Sequence, residues 1–326
     1  MSTAVRRPSL DVLLRRADQG ALDEPAFDFT TPIDCTRWFV CPTLTPLYYA
    51  PVYRDLSEDQ RRRYNQLTAM SFSELIAFFE GTFAASVLAA LSAAGGRQNQ
   101  AEPADTALAT CLSGFLADER KHIGWWRELN RLSDPELYAH MEQRIIRVPA
   151  VTRRLLATMT SRPGTFPVVY WIMLALEERS LDISRRTMQM DSAVLEPRYR
   201  LIYREHLKDE ARHVQIDGHL IERFYAGRSR AVRKWNAWLL SVVIGKFLLP
   251  PTRSAVRVAR RLACEYPEIA TLVPRMIAEL HEVGRNPEYH AMMYSRGTTP
   301  TLFALFDQFA ELHGMRRVLS SYTPNA

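Results

Sequence analysis

Two short segments of this 326-residue chain repeat the same order of side chains. Asp118–His122 reads Asp-Glu-Arg-Lys-His, and Asp209–His213 reads Asp-Glu-Ala-Arg-His. In a helix, a glutamate and a histidine three residues apart lie on one face, about one turn from each other. Each pair can therefore offer a carboxylate oxygen and an imidazole nitrogen to one metal ion. The repeated pair predicts a site for two metal ions.

Further side chains complete this pattern. Glu80 lies in an apolar stretch, Glu178 follows another, and His206 precedes Glu210 by one helical turn. Helical bundles that bind two irons take one glutamate from each of two helices and a Glu-x-x-His pair from each of the other two. The predicted metal ligands are therefore four glutamates and three histidines, namely Glu80, Glu119, His122, Glu178, His206, Glu210 and His213.

Two of these assignments have a competitor nearby in the chain. Glu74 would replace Glu80, and Glu177 would replace Glu178, after a modest rotation of the helix. We prefer Glu80 and Glu178. Burial of four carboxylates without cations would be costly, which favours a metal centre over a chance arrangement.

Asp118 and Asp209 are candidates for a supporting role. A metal-bound histidine usually donates its other ring N–H to a carboxylate or carbonyl, and these aspartates could accept that hydrogen bond. The alternative is surface pairing with Lys121 or Arg212. Oxygen and imidazole ligands without a thiolate suit iron, and manganese is also possible. Outside this pattern, His219 is expected to be structural, and the polar-aromatic group Tyr289, His290 and Tyr294 could line a pocket or pack at the surface.

The elements that position these residues must be helices. Apolar residues recur at three- and four-residue steps along most of the chain, and Ser57 is a candidate N-cap. We expect an all-α, ferritin-like helical bundle with a di-metal carboxylate site in its core and extra helices around it. Residues 1–55, rich in proline, threonine and aromatics, predict an extended arm that wraps a single helical domain over 56–326. The metal-binding bundle would occupy about 57–225, and additional helices about 229–315, with a short helix also expected over 134–142.

Composition narrows the function classes. The chain is 47% hydrophobic and has a net charge of +6, spread over mixed polar faces, so we expect no nucleic-acid partner. The longest apolar run, Trp238–Leu249, contains Lys246 and is too short to cross a bilayer, so we expect no membrane partner. The four cysteines have no close paired spacing, and no apolar signal segment is recognised, which together predict a cytoplasmic protein.

At these residues the chain resembles the p-aminobenzoate N-oxygenase (AurF-like) family of non-haem di-iron proteins. The resemblance rests on Ser73-Glu74 and Glu80, Asp118-Glu119-x-x-His122, Glu178-Arg179-Ser180, and His206-x-x-Asp209-Glu210-x-x-His213. It implies two irons per chain, held by the predicted ligands, which reduce O2 to a peroxo-diferric species. That species would oxidise a small amine to hydroxylamine, nitroso or nitro, often in natural-product biosynthesis and usually in a homodimer.

Other functions remain open at this stage. No G-x-G-x-x-G motif follows a strand, so no flavin or nicotinamide is expected, and electrons must come from a separate reductase or a small reductant. The same site could instead serve a hydroxylase, a desaturase or an oxidative-cleavage enzyme, because one fold supports many reactions. A non-catalytic iron-binding or storage protein is the third alternative. A cation in the cavity beside the metals would indicate a carboxylate-bearing amine.

Overall fold

The computed structural model describes residues 7–22, 27–95, 103–140, 144–250 and 253–325. Most of these residues are helical, and the only β pairing within the described ranges is an isolated bridge between Trp38 and Leu195. The α-helices are α1 (Leu10–Leu22), α2 (Glu58–Phe78), α3 (Ala85–Gly95), α4 (Pro103–Ser133), α5 (Ala150–Thr160), α6 (Val168–Met188), α7 (Pro197–Phe224), α8 (Arg230–Val243), α9 (Arg253–Glu265), α10 (Val273–Val283), α11 (Pro287–Met293) and α12 (Pro300–Gln308). The predicted all-α fold is confirmed.

The bundle is formed by four long helical rods. The first consists of α2, a π-helical segment over Phe79–Ala84, and α3, which follow one another without a break. The other three are α4, α6 and α7. α6 packs along α7, and α4 packs against α2, α3 and α7. This arrangement is consistent with a ferritin-like bundle.

The start of α2 follows directly from its sequence. The Ser57 hydroxyl accepts a hydrogen bond from the Gln60 backbone N–H, and the Gln60 side chain accepts one from the Ser57 backbone N–H. This reciprocal arrangement satisfies two amide donors that the first helical turn leaves free. The prediction of Ser57 as the N-cap is confirmed. Further along this rod, Glu80 lies in the π-helical segment, a local widening that is frequent at functional sites.

Two apolar clusters divide the bundle along its length, and each long rod contributes to both. The first cluster includes Phe83, Phe115, Ala175 and Val214. The second includes Met70, Trp125, Ile183 and Tyr203. On every rod, predicted metal ligands lie between the residue named from the first cluster and the residue named from the second. The apolar packing above and below therefore holds one polar layer at the same level in all four rods.

The N-terminal arm is only partly extended. Residues 1–6 and 23–26 lie outside the described part of the chain, but the arm contains α1, which packs against α4 and α7, and three short 3-10 segments between Pro42 and Asp55. The Asn65 side chain accepts hydrogen bonds from the backbone N–H groups of Phe39 and Val40. The prediction of a wholly extended arm therefore missed α1, whose apolar face is buried at Leu13.

Outside the bundle, the structure differs from expectation at two short segments. Residues 134–140 form turns rather than the predicted helix, and 141–142 lie outside the described residues. The Asp134 side chain accepts a hydrogen bond from the Leu137 backbone N–H, which favours a turn. Within the C-terminal helices, no separate helix was expected at α11. The cysteines Cys35, Cys41, Cys111 and Cys264 form no disulfide in the structure.

Two helical stretches, Glu58–Ala93 and Arg230–Glu265, have the length and composition that could cross a bilayer. Core helices of soluble proteins share these properties, and the first stretch is the rod that carries Glu80 into the bundle. Neither stretch amounts to a clear membrane-protein signal.

Candidate metal centre

The polar layer of the bundle gathers seven buried side chains at one point. Six of the seven predicted ligands meet there, and the seventh position is filled by Glu177 rather than Glu178. The cluster consists of Glu80, Glu119, His122, Glu177, His206, Glu210 and His213, each at most 2% exposed.

These residues form two overlapping groups. Site one is Glu80, His122, His206 and Glu210, and site two is Glu119, Glu177, Glu210 and His213. Within each group, one ligand atom from every residue lies within 4.8 Å of the others. Glu210 belongs to both groups. Glu210 is therefore the residue placed to hold both ions.

In site one, two imidazoles face two carboxylates. His206 Nε2 lies 3.3 Å from Glu80 Oε1 and 3.2 Å from Glu210 Oε1. His122 Nδ1 lies 3.7 Å from each of the same two oxygens. Ligand atoms bound about 2.1 Å from one ion are separated by roughly 3 to 4 Å, so these distances fit a shared ion.

Site two is built around a single histidine. His213 Nδ1 lies 3.5 Å from Glu119 Oε1, 3.4 Å from Glu210 Oε1 and 3.9 Å from Glu177 Oε2. These separations again fit one ion between the four groups. The two sites therefore differ in composition. Site one has two imidazoles, and site two has one imidazole and more carboxylates.

Unpartnered ligand atoms give a direct test of whether metal ions fit. Both carboxylate oxygens of Glu119 and of Glu210 are buried without a hydrogen-bond partner among the described residues. The same holds for Nδ1 of His122 and of His213. Leaving buried polar groups unsatisfied is costly, and these groups all face the cluster. Cations at the two sites would satisfy every one of them.

Each of the two Glu-x-x-His histidines is oriented by an aspartate from the opposite helix. His122 Nε2 on α4 lies 3.0 Å from Asp209 Oδ2 on α7, and His213 Nε2 on α7 lies 3.3 Å from Asp118 Oδ2 on α4. Each contact directs the Nδ1 atom of its histidine toward the cluster. The aspartates were expected either to orient a histidine or to pair with a cation, and Asp209 does both. Its Oδ2 also accepts a hydrogen bond of 2.9 Å from Lys121 Nζ.

Burial dominates the electrostatics of the carboxylates. It raises the pKa of Glu80 to about 7, against the hydrogen bond and charge of His122. Burial, followed by the charges of Glu80 and Glu177, raises the pKa of Glu119 well above its ordinary value. The pKa of Glu210 is also raised well above its ordinary value, by burial and then by Glu177. Without cations, this cluster favours protonated carboxylates.

The three histidines respond differently to the same surroundings. Burial lowers the pKa of His206 well below its ordinary value, and the charges of His122 and His213 add to this effect. Burial also lowers the pKa of His213. For His122, burial is outweighed by hydrogen bonds to Asp209 and Glu80, which raise its pKa to about 9. Two imidazoles are therefore held neutral, as metal ligation requires.

Glu178 lies away from the cluster, which corrects the preference stated above. Its Oε1 accepts a hydrogen bond of 2.7 Å from the Thr301 backbone N–H, and its Oε2 accepts one of 2.8 Å from the Leu302 backbone N–H. These amides belong to the first turn of α12, whose free N–H groups attract a carboxylate. The neighbouring residue Glu177 takes the place in site two.

Glu74, the alternative to Glu80, is also occupied elsewhere. Its carboxylate accepts hydrogen bonds from the Tyr138 hydroxyl and from the backbone N–H groups of Arg144, Ile145 and Ile146. These contacts hold the segment that leads into α5. Of the two alternatives, the structure brings Glu80 to the cluster.

Other singled-out residues lie outside the cluster. His219 Nε2 contacts the Pro8 carbonyl at 2.9 Å, and His290 Nε2 contacts the Gly284 carbonyl at 2.8 Å, so both have structural contacts. Tyr289 and Tyr294 line a cavity.

The sequence analysis missed Asp217, which is buried on α7 one turn beyond His213. Neither of its carboxylate oxygens has a hydrogen-bond partner among the described residues. Its position four residues after His213 was the available signal.

A cavity of about 390 Å³ is lined by side chains that neighbour two of the cluster glutamates in the sequence. Phe79 and Leu176 line it, and each directly precedes a cluster glutamate, Glu80 or Glu177. Phe83, one turn beyond Glu80, also lines it. On two of the four rods, therefore, a lining residue and a cluster glutamate are consecutive in the sequence.

Comparison with known proteins agrees with this geometry. The family model described as p-aminobenzoate N-oxygenase AurF matches residues 4–304 of the chain. No curated protein matches the chain. The family match extends well beyond the cluster residues and covers the bundle and most of the C-terminal helices.

Proposed function

The chain belongs to the p-aminobenzoate N-oxygenase AurF family, an oxygenase family, and from this premise we propose that it uses two irons and O2 to N-oxygenate a small amine. The single observation that carries the proposal is the pair of overlapping ligand groups that share Glu210. Glu210 and the other cluster residues would hold two irons, which would supply the electrons that activate O2. The bound metals would supply the oxidising chemistry, and the remaining tasks fall to the protein.

The first task is to hold the ligands while excluding water. The cluster lies between two apolar layers, and its members are at most 2% exposed. A dry site strengthens the electrostatic interactions within it and protects a reactive oxidant from side reactions. Asp118 and Asp209 contribute by fixing the orientation of two imidazole ligands.

The second task is to admit an amine beside the metals. The cavity next to Glu80 and Glu177 has a volume within the range of small-molecule sites. In the proposed reaction, one oxygen atom of O2 is inserted into an N–H bond of the amine to form a hydroxylamine. The other leaves as water, with two electrons and two protons from an external donor. Repeated oxidation of the hydroxylamine would lead to nitroso or nitro products.

We also propose that the electrons come from a separate reductase or a small reductant. A surface depression of about 260 Å³ supports this proposal. It is lined by Lys121, Trp125, Asp209 and Arg212, and Asp209 contacts the outer nitrogen of His122. A donor bound there would lie one side chain from a ligand of site one. We further propose that the protein is a cytoplasmic homodimer and acts in natural-product biosynthesis.

The test is a single-turnover reaction. Protein loaded with Fe(II) under nitrogen is mixed with an arylamine and ¹⁸O2, and the products are analysed by mass spectrometry. The proposal predicts a hydroxylamine, nitroso or nitro product with ¹⁸O on nitrogen, and none with Glu177→Gln. The Asp59→Asn variant, which changes an exposed carboxylate on α2, serves as the matched control. Labelled oxygen on carbon alone would favour a hydroxylase, and no product from any amine would contradict an N-oxygenase.

A further inference from the structure

The cavity beside the metal centre is almost entirely apolar. It is enclosed by side chains of α2, α5, α6, α8 and α9 and of the segments next to them. Phenylalanine, leucine, isoleucine, valine and methionine predominate among the lining residues. A cavity of this kind binds a ligand mainly by removing its apolar surface from water.

The one charged side chain that lines the cavity, within the described ranges, is Arg179, which already binds a carboxylate. It shares that carboxylate with Arg185, and its Nε has no hydrogen-bond partner among the described residues. Arg179 Nη1 donates a hydrogen bond of 2.7 Å to Asp182 Oδ2 and one of 3.0 Å to the Met292 carbonyl. The Asp182 side chain is fully buried, so this ion pair is shielded from water. A ligand carboxylate beside Arg179 would have to compete with Asp182. Apart from Arg179, the described lining carries no charge, so most of the interior favours an apolar molecular body.

The rim of the cavity is also apolar, although it faces solvent. Leu75 is 42% exposed, Val151 77%, Leu155 54% and Phe247 52%. These residues make up half of the large apolar side chains that are exposed in the described part of the chain. Exposed apolar side chains clustered around one opening are typical of a binding entrance.

Cations surround this rim. The Arg153 guanidinium lies 5.9 Å from the ring centre of Phe78, which lines the cavity. Arg253 directly precedes Ser254, another lining residue. Arg147, Arg153 and Arg253 are exposed and form no ion pair with any residue that the structure describes.

These cations have no acidic counterpart nearby in the chain. The segments 143–176 and 223–264 carry arginines and lysines but no aspartate or glutamate. Arg257 reports the positive electrostatic potential in this region. Burial lowers its pKa, and the charges of Arg147 and Arg253 lower it further. An anion at the rim would relieve this repulsion.

We propose that the substrate is an elongated apolar amine with an anionic group at the end remote from its nitrogen. The inference rests on the proposed function, since it places the nitrogen at the Glu80 and Glu177 end. The apolar body fills the cavity, and the anionic group remains at the rim beside Arg147 and Arg253. A small amine whose carboxylate lies next to the ring would instead bring that charge into the apolar interior.

Binding can be measured without turnover, so failure of this inference is distinct from failure of N-oxygenation. Calorimetric titration of Mn(II)-loaded protein under nitrogen compares three probes: p-aminobenzoate, p-butylaniline and (p-aminophenyl)pentanoate. Each buried methylene strengthens binding by about fourfold. (p-Aminophenyl)pentanoate has four methylenes more than p-aminobenzoate, so we expect it to bind about 250-fold more tightly.

Variants locate the two ends of the ligand. The double variant Arg147→Gln/Arg253→Gln should weaken (p-aminophenyl)pentanoate roughly tenfold and leave p-butylaniline within about twofold of wild type. Arg285→Gln, at an exposed arginine paired only within its own turn, is the matched control and should change neither. Thr152→Trp, which fills the cavity near its rim, should weaken both probes. Tightest binding of p-aminobenzoate, an unchanged ratio in the double variant, or no effect of Thr152→Trp would overturn the inference.

Discussion

His122 on α4 and Asp209 on α7 are joined by a contact of 3.0 Å between Nε2 and Oδ2. The histidine offers its other nitrogen, Nδ1, to site one, where it has no hydrogen-bond partner among the described residues. Although burial opposes it, the hydrogen bond to His122 lowers the pKa of Asp209. The carboxylate therefore stays ionised and holds the imidazole in one orientation.

Replacing Asp209 should weaken the metal centre without emptying it. Asp209→Asn keeps the shape of the side chain but removes the charge that orients His122, so we expect metal affinity at site one to fall roughly 10- to 100-fold. Competition with a chelator under nitrogen measures this change. Asp59→Asn, whose side chain is 70% exposed, provides the comparison. Equal metal retention in the two variants would show that the contact has no supporting role.

The adjacent residues Glu177 and Glu178 allow a sharper comparison. Glu177→Gln should remove a ligand from site two and lower the bound metal, with little change in the stability of the metal-free protein. Glu178→Gln should keep both metals. It should destabilise folding by about 1 to 3 kcal/mol, because glutamine keeps only one of the two oxygens that accept the Thr301 and Leu302 amides.

Metal analysis together with urea unfolding of the metal-free proteins separates these two effects. Each variant is the control for the other, since both change one buried glutamate on α6 to glutamine. Loss of metal from Glu178→Gln with full retention by Glu177→Gln would reverse the assignment.

Metal affinity should rise with pH. The pKa of Glu80 is raised to about 7, that of Glu119 is raised well above its ordinary value, and that of His122 is raised to about 9. A group with a raised pKa holds its proton below that pKa and must release it to bind a cation. We therefore expect proton release on Mn(II) binding at pH 6.5, and a larger metal-induced increase in Tm at pH 8 than at pH 6. An increase in Tm that is the same at both pH values would contradict these assignments.

Much of the centre could be predicted because helical spacing constrains it. The two Asp-Glu-x-basic-His segments place a glutamate and a histidine on one face of each helix, and α4 and α7 bring both pairs to the cluster. His206 was found in the same way, from its position one turn before Glu210. Glu80 could be identified because it is an acid within an apolar stretch.

The choice between Glu177 and Glu178 could not be made in this way. Every residue from Val168 to Ala175 is buried, so α6 has no polar face from which to read its rotation. The partner of Glu178 is also remote in sequence. Its carboxylate binds the start of α12, more than a hundred residues later, and no local pattern signals that contact. The cavity was hidden for the same reason, since its walls come from helices distant in the chain.

The number of metal ions bound by Glu210→Ala shows whether one residue holds both ions. Glu210 is the one residue common to both ligand groups, so its loss removes a ligand from each site at once. Protein loaded under nitrogen and desalted is analysed by mass spectrometry for metals, beside wild type and Asp59→Asn. We expect two ions per chain in wild type and in Asp59→Asn, and well below two in Glu210→Ala. Two ions in Glu210→Ala, or none in wild type, would contradict a shared dinuclear centre.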